Sequence, residues 1–204
     1  MRRIAISTAL VVAAISGLVA VAASASRTGS RQPARRVVAV TSQSRLTSDV
    51  MAARLATARY ATNLERAKAD GYQIITRMIP NMGYHFLNAK VTGFDVRKPA
   101  ILVYEHRGAG WQLGALEWVF TSMPAHPPLP GAKYGVFGAA CHYTDGTFVF
   151  QNDQSKCAAK SPQTRAKFSF WHPRLITLHF WVWYPNSAGI YSGLNPLVNG
   201  FNHG

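Results

Sequence analysis

From Tyr72 to the C-terminus the chain is written in short apolar or alternating runs, each cut off by glycine, proline or asparagine. Runs of that length and period specify β-strands. The expected strands are residues 73–79, 84–87, 101–106, 113–120, 135–138, 147–151, 167–171 and 175–183. Ahead of them, residues 47–70 place Ala53, Ala56, Tyr60, Leu64 and Ala67 at helical spacing, with Ser48 as a cap, Asp49 in the first turn and Gly71 as the stop. The stripe is mostly alanine, so this helix should pack closely against something broader than another helix. One leading helix and several strands with short turns predict an α+β fold: an N-terminal helix packed on a curved antiparallel β-sheet or a small β-barrel. About 130 residues follow the helix, enough for one core. No second linker divides them, so residues 47–204 are expected to form a single domain.

The N-terminus predicts where the domain works. Met1-Arg2-Arg3 is followed by an almost uncharged stretch from Ile4 to Ala23 and then by Ala23-Ser24-Ala25. That is the charged, apolar and small-residue sequence of a secretory signal peptide, residues 1–25. The apolar run approaches the ~20 residues that span a bilayer, so an uncleaved anchor is the alternative. In both cases the body lies outside the cytoplasm. Residues 26–46, with Arg27, Arg31, Arg35 and Arg36 among Ser, Gly, Gln and Pro, read as a basic flexible linker. Cys141 and Cys157, an even pair in a short exported chain, are expected to form a disulfide worth about 3 kcal/mol in loop entropy.

The formal charge is +14, or +12 without Arg2 and Arg3, and nine basic residues stand between Arg27 and Lys68 against Asp49 and Glu65. Such a leader suits an anionic cell-surface polymer, lipid headgroups or simply solvent. Nucleic acid is not expected, because an exported chain without a recognition motif has no route to it. A monomer is expected.

Strand alternation singles out two carboxylates. Ile101, Val103 and Glu105 share one face, and Leu113, Ala115, Glu117 and Val119 share another. A hairpin loop centred near Ala109 or Gly110 places both sets on one side of the sheet, with Glu117 opposite Ile101 or Val103. The carboxylates then look inward about 7 to 13 Å apart along the strands, too far for a shared metal or a paired-carboxylate mechanism. Histidines are better partners. His85 alternates with Tyr84 and Phe86, and His179 shares a face with Thr177, Trp181 and Trp183. Convergence of His85, Glu117 and His179 would give a two-histidine, one-carboxylate set suited to zinc, iron or copper. The same residues suit the polar lining of a small-ligand pocket, or a satisfied hydrogen-bond network without a ligand. His106, His126, His142, His172 and His203 adjoin glycine, proline or turn residues and are expected at the surface. The aromatics Trp118, Trp171, Phe180, Trp181 and Trp183 are expected in the core rather than in a binding groove.

No G-x-S-x-G, H-E-x-x-H, C-x-x-C or phosphate loop occurs. The ordered pieces Met82-Gly83-Tyr84-His85-Phe86, Leu102-Val103-Tyr104-Glu105, Leu116-Glu117-Trp118-Val119 and His179-Phe180-Trp181-Val182-Trp183 with Pro185-Asn186 and Asn195-Pro196 resemble a family of secreted bacterial proteins, common in actinobacteria, over residues 50–200. The resemblance implies export and assigns no activity. It does place His85, Glu105, Glu117 and His179 inside recurring motifs, which makes these four the expected ligand-binding residues. Three functions stay open: a secreted protein binding a small ligand or a transition metal in a polar pocket, an extracytoplasmic enzyme using a buried Glu/His pair, or a surface-interaction protein without a site.

Overall fold

A computed structural model of the chain describes residues 32–201. The expected signal peptide, residues 1–25, lies outside them. Helix α1 spans Gln32–Thr57 and therefore begins well inside the segment expected as a linker. Pro33 sits in its first turn, where a missing N–H costs little, and neither glycine nor proline follows before Gly71.

The helix expected to continue to Asp70 instead breaks. A 3₁₀ turn, Ala58–Tyr60, intervenes before a second helix, α2, Leu64–Ala69. At the break the backbone bonds to the sheet rather than to itself: Tyr104 Oη donates to the Tyr60 carbonyl at 2.8 Å, and the Leu113 amide donates to the Ala61 carbonyl at 2.7 Å. Asn63 then caps α2 by accepting from the Arg66 amide at 2.8 Å. Gly71 ends the helix as expected. Its φ of +101° suits glycine, and the Tyr72→Ala67 and Gly71→Lys68 amide bonds, both 3.0 Å, close a Schellman motif.

Nine strands follow among the described residues: β1 Gln73–Ile79, β2 Gly83–Leu87, β3 Ile101–Arg107, β4 Gly110–Phe120, β5 Gly135–Phe137, β6 Ala140–Tyr143, β7 Phe148–Phe150, β8 Phe168–His172 and β9 Leu175–Phe180. All eight expected strands are present within a few residues. The unexpected one is β6, a four-residue strand in a run of small residues from Gly138 to Cys141. Six strands form an antiparallel sheet in the order β1-β2-β3-β4-β9-β5, curled into a half-barrel, and β7-β6-β8 form a second, smaller sheet. The fold is thus α+β and mostly sheet.

Alternate residues serve the two faces of the large sheet. Phe86, Leu102, Tyr104, Leu113, Leu116, Trp118, Leu178 and Phe180 pack with Ala53, Tyr60, Leu64 and Ala67 of the helical segment. The opposite face carries Ile101, Val103 and Ala115, against Trp181 and Val198. One expectation fails here. Leu113 lies on the helix face, away from Glu117, because the β3–β4 register shifts between Val103↔Ala115 and Tyr104↔Leu113 and leaves Gly114 as an extra residue. Glycine suits that bulge, since a Cβ there would lie 2.8 Å from Glu105 Oε1 and 3.0 Å from the Trp181 ring.

The small sheet spans the edges of the half-barrel. Toward β1, the Arg77 amide donates to the Gly146 carbonyl at 2.7 Å and the Arg77 guanidinium bonds Asp145 Oδ2 at 2.6 Å. Toward β5, the Phe137 ring packs on Phe148 and His172 at centroid distances of 5.4 and 5.5 Å. Cys141 and Cys157 form the expected disulfide, Cα atoms 5.7 Å apart, tying β6 to the segment after β7.

Candidate metal centre

The space between the half-barrel and the small sheet is a cavity of about 380 Å³. Its walls are mostly apolar, with Ile79, Leu87, Ile101, Val119, Phe137 and Leu175 among them, and its polar groups are concentrated on a few strands.

Three of those groups converge. Glu117 of β4 stands directly opposite His179 of β9, and it pairs with Ile101 on its other side. His85 of β2 pairs with Val103. Neighbouring strands are about 4.8 Å apart, so β2 and β4 are roughly twice that distance apart in a flat sheet. Curvature and two long side chains leaning over β3, where Ile101 and Val103 carry only short ones, close the gap. His85 Nε2 lies 3.5 Å from Glu117 Oε2, and His179 Nε2 lies 3.7 Å from Glu117 Oε1. One donor atom from each residue lies within 4.8 Å of the other two. Donors bound to one tetrahedral ion at about 2.0–2.2 Å sit about 3.3–3.6 Å apart; the two separations, which run to different oxygens of Glu117, are close to that spacing and too long for strong hydrogen bonds, and the set would draw together slightly around an ion.

Burial and partners point the same way. All three residues are buried, and His179 Nε2 has no hydrogen-bond partner among the described residues. His85 Nδ1 lies 2.7 Å from Thr76 Oγ1. With Nδ1–H donating to that hydroxyl, the Nε2 lone pair faces Glu117, the orientation that an outer partner gives a metal-binding imidazole. Desolvation raises the Glu117 carboxyl to about 8 and lowers His179 to about 4. Desolvation, then the neighbouring His179 and His142, lowers His85 to about 3. Burial therefore favours, in the metal-free cluster, an uncharged acid beside two uncharged imidazoles. A bound cation would reverse the balance at Glu117 and favour the carboxylate.

Glu105, the fourth expected residue, does not join them. It is fully buried next to Gly114 and Trp181 and lies outside the cavity wall. The structure adds residues that sequence reasoning placed at the surface. His142 is buried, and it and His172 both line the cavity. His172 has a signal in the alternation, since it shares a face with Phe168 and Phe170, whereas His142 has only its place beside the disulfide cysteine Cys141. His126 is exposed, as expected, and His203 lies outside the described residues. Trp118, Phe180 and Trp181 are core residues away from the cavity. No family model, curated protein or solved structure matches the chain, so the centre rests on its own geometry.

Proposed function

We propose that this is a secreted metal-binding protein in which His85, Glu117 and His179 hold one divalent transition ion, zinc by preference, at the wall of an apolar cavity. The observation that carries the reading is the buried convergence of the three donor atoms, with His179 Nε2 lacking a hydrogen-bond partner among the described residues. A buried network without a ligand would leave few such atoms unsatisfied. Three protein donors would leave a fourth position open to another ligand, and all three residues line the cavity. The ligand class is then a small molecule with an apolar body and one donor atom to meet the ion. Export is supported by the signal-like N-terminus and by the disulfide, which belongs to an oxidising compartment. No helix among the described residues is long and apolar enough to cross a membrane.

Zinc content of the purified, zinc-equilibrated protein tests the site. His85→Gln, Glu117→Gln and His179→Gln should each lower it by one ion per chain. Unchanged zinc in all three variants would contradict the proposal.

A further inference from the structure

The same cavity holds a second donor pair that the first centre does not use. His142 of β6 places Nδ1 2.7 Å from the Ile75 carbonyl, and His172 of β8 places Nδ1 2.6 Å from the Pro173 carbonyl. A carbonyl only accepts, so both Nδ1 atoms carry their protons and each neutral ring presents a lone pair at Nε2. These two atoms are 3.0 Å apart. Two acceptors facing one another at hydrogen-bond distance repel unless a cation lies between them. A metal ion fits the remaining features: the carbonyl partner on each Nδ1 is what fixes a metal-binding imidazole in place. Phe170 stacks on His142 with centroids 4.6 Å apart and planes 3° from parallel, holding the ring rigid.

The separation also selects the ion. Bonds of about 2.0 Å to atoms 3.0 Å apart subtend roughly 95–100°. That is near the cis angle of tetragonal copper(II) and narrower than the tetrahedral angle of zinc. We propose that His142 and His172 form a second metal site, selective for copper(II), whose remaining positions are filled by water or by a ligand in the cavity. The site rests on its own two rings and does not require the His85–Glu117–His179 centre.

Copper(II) titration of the folded, disulfide-bonded protein tests it, with bound copper counted after gel filtration and nitrogen coupling read by electron paramagnetic resonance. A Glu117→Gln/His179→Gln variant should still bind one copper(II) with a two-nitrogen signature. Adding His172→Gln to that variant should weaken binding by more than about 100-fold, beyond the 10–100-fold typical of losing an outer partner. His172 is only partly buried, so its replacement is the safer one for folding; circular dichroism confirms the fold. If the first variant binds no copper(II), or His172→Gln leaves its copper unchanged, the second site is overturned. Binding at the pair together with unchanged zinc in every variant of the first centre would overturn the first proposal alone.

Discussion

The two faces of the six-stranded sheet are built from alternate residues of the same strands, yet they do different work. Leu102, Leu116, Trp118, Leu178 and Phe180 on the helix face are all essentially inaccessible and packed together. One residue along, Ile101, Glu117, Thr177 and His179 face a cavity. The filled face supplies the apolar burial that holds the curved sheet. The other face is then free to carry buried titratable groups and empty space, both of which cost stability. A face that spends stability in this way is where a ligand site is to be sought.

The largest expected effect separates the faces by packing. Leu116→Ala should cost near the top of the ~2–5 kcal/mol range for such truncations. Ile101→Ala, which only widens an existing cavity and loses fewer contacts, should cost near the bottom. Denaturant unfolding measures both, and equal costs would erase the distinction.

Next comes pH. The folded value of Glu117, about 8, lies above its ordinary value of 4.5, so the stability it contributes as a neutral acid is complete below 4.5 and is lost as pH rises through about 8. His85 and His179 act oppositely. Their neutral forms contribute fully above 6.5, and that contribution is lost as pH falls toward about 3 for His85 and about 4 for His179. The metal-free protein should therefore be most stable between these limits and lose up to ~1.4 kcal/mol per pH unit on the alkaline side. Glu117→Gln stays neutral and should flatten that decline, so the metal-free variant should be more stable than the parent at pH 8. Zinc affinity should rise about tenfold per pH unit up to about 8, because binding displaces one proton from Glu117.

The third effect concerns the cover over the cavity. Cys157→Ser should cost about 3 kcal/mol and raise hydrogen exchange in β6–β8 more than in β3 and β4. Uniform loss of protection would make the small sheet an integral part of the main core. Smaller again, Gly114→Ala should cost about 1–3 kcal/mol through crowding. Its Cβ meets Glu105 and Trp181 at 2.8 and 3.0 Å. A neutral result would mean that the bulge tolerates a side chain.

Much of this contrast was legible in the sequence because a period of two is a local property. Alternation gives the face companions of Glu117 and of His179 within their own strands, and the hairpin centre sets Ile101 or Val103 opposite Glu117, of which the structure pairs Ile101. What stayed hidden depended on distant pairing. The bulge at Gly114 moved Leu113 to the other face, and only contact with Glu105 and Trp181 shows why a glycine is wanted there. The helix break at Tyr60 depends on bonds from Tyr104 and Leu113. His142 looks like a turn residue because β6 is too short and too rich in small residues to announce itself, and His172 because it stands at the end of its strand, next to Pro173.

The central claim is that the polar side of the cavity is built around an ion. Diffraction from zinc-loaded crystals, collected across the zinc absorption edge, tests it most directly. An anomalous peak is expected about 2.0–2.2 Å from His85 Nε2, a Glu117 oxygen and His179 Nε2. A cluster that holds only water there, with zinc found elsewhere or not at all, would contradict it.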